Sequence, residues 1–198
     1  MSQASFSRLG PISGAAFIVL LLAGGGSDST VAVALELVGL VLIIPFLAYL
    51  RGILRVAEGP GGWLADCAFG AGLVDVTIKL ASIPPGKAAD HFGSATAVHE
   101  ALRDINEVAF IVTMLPLGIM MAAVAAVTLR YGGLPRWLGW MAAVISPLLL
   151  ANGMLLDSAD APAFLLFMIW TLLACSVLTF QPRPAKAIRA PDAARATT

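Results

Sequence analysis

Three ionisable residues lie inside stretches of sequence that are otherwise apolar. Asp75 and Lys79 fall within residues 61–83, and Glu36 is the one charged residue within residues 31–50. A carboxylate that can bind a proton, close to an ammonium group, has the chemistry of a proton relay or of a site for a charged substrate. Because ionisable groups are costly at membrane depth, such residues mark a functional site by default.

Asp75 and Lys79 share one face of a predicted helix with a series of small residues. The members of this face are separated by three or four positions, as neighbours on a helix surface are: Ala65, Ala68, Gly72, Asp75 and Lys79. Small residues let a second helix approach closely. We therefore predict that this face points into a bundle and that the Asp75 carboxylate and the Lys79 ammonium interact there. Asp66 lies on the opposite side and is predicted to be interfacial.

The composition indicates an integral membrane protein. Of 198 residues, 59% are hydrophobic and 12% charged, and the mean hydropathy is +0.91. Soluble domains have about a quarter of their residues charged. Lys plus Arg and Asp plus Glu are equal at 12 each, so the charge balance indicates no nucleic-acid partner. Cys67 and Cys175 both fall in apolar stretches and are predicted to be free thiols.

The apolar stretches predict an all-α fold, a polytopic transmembrane bundle of six helices formed by residues 1–182. The predicted spans are residues 9–26, 31–50, 61–83, 108–129, 137–156 and 161–180. Residues 183–198, rich in Pro, Ala and Arg, are predicted to be a disordered tail. The first stretch has some features of a signal peptide, but the multi-spanning remainder of the chain favours a membrane helix.

An amphipathic helical extension is predicted to lie before the fourth span. Pro84-Pro85-Gly86 predicts the end of the third helix, with a loop over residues 87–93 and Ser94 as the cap of a new helix. Val98, Leu102 and Ile105 recur at helical spacing among charged residues. Because residues 94–129 would span ~54 Å as one helix, we expect it to project from the membrane or to break near Asn106.

The basic residues predict that both termini are cytoplasmic. In a six-span topology most of them fall on one side, which the positive-inside rule assigns to the cytoplasm. The aromatic residues near the same boundary agree with this orientation. The basic residues are Arg8, Arg51, Arg55, Arg130, Arg136, Arg183, Lys186, Arg189 and Arg195, and the aromatic ones are Tyr49, Trp63, Tyr131, Trp137 and Trp140.

This orientation brings polar groups of four helices to a similar depth. Asp75 would lie ~20 Å above the inner boundary and Glu36 ~8 Å below the outer one, so both occupy the outer third of the membrane. The candidate substrate or proton site comprises Glu36, Asp75, Lys79, Asn106, Glu107 and Asn152. The alternative is a structural network, in which Asp75 and Lys79 neutralise each other and Glu36 bonds Asn152 or is protonated.

Other chemistry has little support in the sequence. No zinc-protease, serine-hydrolase, phosphate-loop or dinucleotide-binding motif is present, so the chain is not predicted to be an enzyme or to bind a cofactor. His91 and His99, with Asp90 and Glu100, match no specific metal motif, and no metal site is predicted.

Three short segments carry a resemblance to a known family: Arg8–Gly14, Ala57–Gly59 and Leu134–Trp140. They resemble segments of a domain-of-unknown-function family of six-span bacterial membrane proteins, common in actinobacteria, in which a Pro-Arg-x-Leu-Gly element likewise follows the fourth helix. The resemblance implies six spanning helices and a location in the bacterial inner membrane. It implies no activity, cofactor or catalytic residue.

Two classes of function remain. The first is a small transporter or proton-coupled permease that uses Glu36, Asp75 and Lys79. The second is a membrane scaffold or partner subunit that binds through residues 84–107. Besides the lipid bilayer, a partner protein or a second copy could pack on small-residue faces, such as the predicted stripe Gly118, Ala122, Ala125 and Ala126.

Overall fold

The chain folds into six α-helices. The computed structural model describes residues 3–24, 29–92, 96–155 and 162–180, with side chains from residue 9 onward, and no strand occurs among these residues. The helices are α1 (Gln3–Gly24), α2 (Thr30–Glu58), α3 (Leu64–Ala89), α4 (Ala97–Tyr131), α5 (Arg136–Leu155) and α6 (Pro162–Phe180). The predicted all-α bundle of six helices is confirmed. The predicted tail, residues 183–198, lies outside the described residues.

The helices form a closed ring with α4 reaching its centre. Each helix packs on the next in the chain, α6 packs on α1, and α4 additionally contacts α2. The side chains of Met114, Leu117, Met121 and Val124 in α4 are completely or almost completely buried. They pack with Phe46 and other side chains of α2 into one hydrophobic core. Because α4 is the most enclosed helix, groups on its surface are held rigidly against α2, α3 and α5.

The outer surface of the bundle is that of an integral membrane protein. Four helices are long and apolar enough to cross a membrane: α2, α4, α5 and α6. The apolar part of α1, Leu9–Gly24, is shorter, and α3, which carries Asp75 and Lys79, is not among the four. Large apolar side chains such as Val41, Val144 and Ile169 are exposed on the outside of the ring, as expected for side chains in contact with lipid.

Glycines allow the close approach of neighbouring helices. A Cβ on Gly118 would lie 2.6 Å from Leu150 Cγ of α5, so the two helices could not pack as they do with a larger residue. The predicted stripe on α4 does not form a single buried face, because Gly118 and Ala125 are buried whereas Ala122 and Ala126 are exposed. Four such residues spread over about a quarter of the helix circumference, so the stripe lies across the edge of the interface.

The prediction that α3 stops at Pro84-Pro85-Gly86 is wrong, because the helix continues to Ala89. Two prolines remove two backbone donors, but the last turns of α3 pack on α4. A Cβ on Gly86 would lie 2.7 Å from Asn106 Nδ2, so the helices are in close contact there. Packing of α3 on α4 therefore overrides the local helix-breaking preference of the prolines. The predicted loop over 87–93 is accordingly helical in its first part.

The expected extension of the fourth span is present, without a break near Asn106. α4 is a single helix of 35 residues, ~52 Å long, which exceeds the ~30 Å hydrocarbon core. Thr96 caps it by accepting a hydrogen bond from the His99 backbone N–H. The predicted cap, Ser94, lies outside the described residues.

The apolar stripe of this extension is divided between two faces of α4. Val98 and Ile105 are 49% and 53% exposed and face away from the bundle. Leu102 is half-buried and lies on the face toward α3 with His99 and Asn106, which are also partly buried. Val98 and Ile105 are therefore free to contact the membrane surface or another protein.

Candidate functional site

The small-residue face of α3 points into the bundle as predicted. Ala65, Ala68, Gly72 and Asp75 are all buried, and Asp75 is only 9% exposed. A Cβ on Gly72 would come within 2.8 Å of Leu47 in α2 and 3.1 Å of Met120 Sδ in α4. The glycine therefore draws α3 close to both neighbours one turn before Asp75.

Lys79 lies one turn after Asp75 and is half-buried. Its ammonium lies within electrostatic range of two carboxylates, that of Glu36 in α2 and that of Asp75 in its own helix. Salt bridges at contact distance in the described parts of the chain join Arg51 or Arg55 to Asp66 and Lys87 to Asp90. The Lys79 ammonium is thus near both Glu36 and Asp75 without touching either.

The ammonium of Lys79 rests on an aromatic ring supplied by α4. Its Nζ lies 4.4 Å from the centre of the Phe110 ring, within the range of a cation–π interaction. The ring of Phe110 is itself packed edge-on against Phe164 of α6, with centroids 5.3 Å apart and planes at 80°. This contact fixes the orientation of the Phe110 ring, so its face is held toward α3.

Thr113 completes the surroundings of Asp75. Its side chain is 1% exposed and interacts with the Asp75 carboxyl group. The Thr113 hydroxyl donates its proton to the carbonyl oxygen of Phe110 at 2.6 Å, one turn earlier in α4. Thr113 therefore provides a polar group close to the Asp75 carboxyl group, with its own proton bonded to the backbone of α4.

Phe110 and Thr113 were not among the predicted site residues, although their spacing in α4 gave a signal. Asn106, Phe110, Thr113 and Leu117 are separated by four, three and four positions and therefore share a face of α4. This is the counterpart of the face on α3. The apolar stripe Val98, Leu102 and Ile105 is the stronger pattern in the sequence, because its hydrophobic residues recur at helical spacing within a charged segment.

The six predicted site residues do not all come together. Glu36, Asp75 and Lys79 form one cluster. Asn106 lies at the α3–α4 contact beside Gly86, and Glu107, the next residue, is exposed. Asn152 lies on α5, which packs on α4 and α6.

Asn152 is not bonded to Glu36 through its amide nitrogen. Its Nδ2 is buried and has no hydrogen-bond partner. The alternative of a structural network that includes a Glu36–Asn152 bond is therefore not supported. A closed Asp75–Lys79 pair is not formed either, since the two groups are not at contact distance.

A second polar cluster, which was not predicted from the sequence, joins α2 to α3. The Glu58 carboxylate accepts hydrogen bonds of 2.9–3.0 Å from the backbone N–H groups of residues 63–65 and so caps the start of α3. Partial desolvation raises the pKa of Glu58, but these three bonds and the charge of Arg55 outweigh it and lower the pKa below its ordinary value. Glu58 lies five to seven positions before the groups it caps, so no local capping motif indicated this role.

Asp66 belongs to this second cluster and lies in the first turn of α3. It is exposed and accepts a hydrogen bond from Arg51 Nε at 2.7 Å, with Arg55 at 3.8 Å from its other oxygen. Arg55 also donates to the carbonyl oxygen of Gly62. Salt bridges this exposed contribute little to stability, so the cluster fixes the α2–α3 turn rather than the core.

The tip of the α3–α4 hairpin carries the two histidines. His99 Nδ1 donates to the Ala89 carbonyl oxygen at 2.9 Å and thereby ties the end of α3 to the start of α4. A hydrogen bond from Lys87 lowers the pKa of Asp90. His91 is exposed. Within the described ranges, no group of three or more His, Cys, Asp or Glu side chains is arranged to hold a metal ion.

The cluster of Glu36, Asp75 and Lys79 can exchange a proton or bind a small charged group. With all three side chains ionised it carries one net negative charge, in an apolar bundle where that charge is weakly screened. Searches of protein-family models, curated proteins and solved structures found no match to the chain.

Proposed function

We propose that this integral membrane protein is a small proton-coupled transporter with Glu36, Asp75 and Lys79 at its site. One observation carries the proposal. The Lys79 ammonium lies on the Phe110 ring within the electrostatic reach of two carboxylates from two helices, and contacts neither. Charged groups held apart in this way can change partners when a proton or a substrate arrives.

A structural role would favour a closed pair. Burying two charges is compensated only when their geometry is close and their hydrogen bonds are complete. The Arg51–Asp66 pair, which links α2 to α3, is by contrast closed at 2.7 Å. The open arrangement around Lys79 is the one expected of a site that exchanges charge.

The membrane topology belongs to the same proposal. We place all six helices across a bacterial inner membrane, with both termini in the cytoplasm. The exposed rings of Trp63, Tyr131, Trp137 and Trp140 support it, because aromatic side chains of this kind favour a membrane boundary. The α4–α5 turn packs beside the end of α2, where Gly133 approaches Ala57, so these rings and the arginines lie at one end of the bundle.

The exposed part of the apolar stripe on α4 favours a second candidate function. Val98 and Ile105 project from the bundle beyond the apolar part of α4, where a scaffold or partner subunit would present a docking surface. Replacing both residues with serine would then abolish the binding of a partner protein or of a second copy of the chain. Such a role is compatible with transport, since both residues face away from Glu36, Asp75 and Lys79.

Proton-coupled solute movement in liposomes tests the proposal. Purified protein is reconstituted with a pH-sensitive dye inside, and the vesicles are diluted into amines, amino acids, sugars or carboxylates. We expect one solute class to change the internal pH, and Glu36→Gln or Asp75→Asn to abolish the change. Protein-free vesicles correct for solutes that cross lipid unaided.

Matched control variants exist on the exposed part of α4. Glu107→Gln and Asp104→Asn make the same chemical changes at exposed positions and should leave the flux unchanged. The proposal is overturned if no solute class moves protons, or if the exposed variants reduce the flux as much as the buried ones.

A further inference from the structure

We infer that the site takes a monovalent organic cation with an ammonium head, and that the Lys79 ammonium is a tethered occupant of the place this cation binds. The inference rests on the proposed transport function and adds the substrate class. The structure already seats one ammonium there, against Phe110 and near Glu36 and Asp75.

The charge of the site favours a cation. The Glu36 and Asp75 carboxylates face the same ammonium from two helices. If Lys79 turns away, two negative groups remain without a counter-charge in a weakly screened interior, and an incoming cation is attracted to them. An anionic substrate would meet both carboxylates and would be repelled.

The aromatic ring favours an organic ammonium over a metal ion. The face of an aromatic ring attracts ammonium groups within about 6 Å, and choline-type ligands are recognised in this way. Phe110 offers such a face at 4.4 Å from Lys79 Nζ, and its contact with Phe164 holds the ring in place. Small inorganic cations prefer a shell of oxygen ligands, which two carboxylates on separate helices and one hydroxyl do not provide.

The Lys79 side chain is able to vacate the place. It is half-buried and has four rotatable methylene groups, and its ammonium is not held at contact distance by any carboxylate. Asp75, in contrast, is 9% exposed and lies near Thr113. The buried carboxylate and the ring form the receptor, and the lysine is the part that moves.

Chemical rescue of a lysine-free variant tests the inference. Purified Lys79→Ala protein is titrated with ethylammonium chloride at constant ionic strength while thermal unfolding is followed. We expect a saturable rise in Tm of about 4 °C at ten times the dissociation constant, because ligand binding to the folded state stabilises it. Sodium chloride and sodium propionate should give no such rise. If Lys79→Ala does not fold, Lys79→Ser leaves a comparable space.

Two further variants sharpen the result. Lys79→Met keeps most of the side-chain volume, fills the place and should show no rise with ethylammonium. Phe110→Leu combined with Lys79→Ala removes the ring and should lose the rise. The inference is overturned if sodium chloride raises Tm equally, if Lys79→Met responds as Lys79→Ala does, or if the rise survives without the ring.

The two proposals fail separately. If ethylammonium binds but no solute drives proton flux, transport is overturned and the cation site stands. If another solute class drives flux and ethylammonium does not bind, the substrate class is overturned and transport stands.

Discussion

Lys79 Nζ lies 4.4 Å from the centre of the Phe110 ring, so an ammonium of α3 is supported by an aromatic side chain of α4. The contact is between the two helices that form the long hairpin of the bundle. It stabilises a positive charge inside the protein although the ammonium forms no contact ion pair with a carboxylate. Lys79 is therefore stabilised where it lies and still able to respond to Glu36 and Asp75.

The first prediction measures this contact by a double-mutant cycle. Phe110→Leu and Lys79→Met should each destabilise the protein, and their effects should be coupled by about 1 kcal/mol, the size of a partly desolvated cation–π interaction. Unfolding in mixed micelles gives the free energies. The control cycle combines Phe110→Leu with Asp66→Asn, a distant exposed site, and should be additive. A coupling near zero for Phe110 and Lys79 would contradict the contact.

The second prediction separates structure from function at Asp75. Asp75→Asn takes one of two carboxylates from the Lys79 ammonium but leaves Glu36 to balance it, so we expect the free energy of unfolding to change by less than about 1 kcal/mol. Adding Lys79→Met leaves the Glu36 carboxylate without a counter-charge and should destabilise the protein by about 2 kcal/mol. Asp104→Asn, at an exposed position of α4, is the control.

Transport distinguishes the two readings of the same variants. If Asp75 carries protons, Asp75→Asn keeps most of its stability but moves no protons in liposomes. Retention of flux in Asp75→Asn would show that Asp75 is not the proton carrier.

The helices and the inward face of α3 followed from the sequence because both depend on local periodicity. Apolar stretches long enough to span a membrane predict helices, and the three- and four-residue spacing of Ala68, Gly72 and Asp75 predicts that they share a face. The proximity of Glu36 and Lys79 was predicted only from their similar depth in the membrane, which follows from counting residues along two helices. Counting gives the level of a residue along a helix but not its rotation toward a neighbour.

The features that the sequence did not predict depend on contacts between helices. The continuation of α3 through Pro84 and Pro85 is a result of packing on α4, which local propensity does not contain. The separation of Asn152 from the cluster depends on α5 being placed next to α4 and α6 rather than α2. The role of Phe110 depends on its position opposite Lys79, which the sequence of α4 alone does not indicate.

The third prediction concerns the Glu58 cap and its dependence on pH. The pKa of Glu58 is lowered in the folded state, so its ionised form stabilises the fold at pH values above the unfolded pKa, near the ordinary 4.5. This contribution is lost as the pH falls through the lower, folded pKa. We therefore expect Glu58→Gln to have a lower Tm than the wild type at neutral pH and the two to converge in acid. Glu107→Gln should show no such difference. A constant gap between wild type and Glu58→Gln at all pH values would contradict the cap.

The fourth prediction tests the proposed topology. In a background lacking Cys67 and Cys175, single cysteines are placed at His91, at the tip of the α3–α4 hairpin, and at Pro60, in the α2–α3 turn. Both positions are exposed in the structure. An impermeant thiol reagent applied to intact cells should label His91→Cys at once and Pro60→Cys only after the cells are permeabilised. The reverse pattern would invert the proposed orientation.

The last prediction uses two glycines in α3 that are two positions apart and meet different surroundings. A Cβ on Gly70 would have nothing within 4 Å, whereas one on Gly72 would come within 2.8 Å of Leu47 and 3.1 Å of Met120 Sδ. Alanine is favoured over glycine inside a helix, so Gly70→Ala should stabilise the protein by about 0.5–1 kcal/mol. Gly72→Ala gains the same backbone term but must push α2 and α4 outward, at a cost of about 1–3 kcal/mol.

The difference between the two variants should therefore be about 2 kcal/mol, measured by unfolding in mixed micelles. Because Gly72 lies one turn before Asp75, the same displacement moves α2 and α4 relative to the Asp75 carboxylate. Gly72→Ala should then also weaken ethylammonium binding in the Lys79→Ala background, and Gly70→Ala should not. Equal effects of the two alanines on stability would mean that α3 is not packed through its small-residue face, and the positions of Asp75 and Lys79 within the bundle would lose their basis.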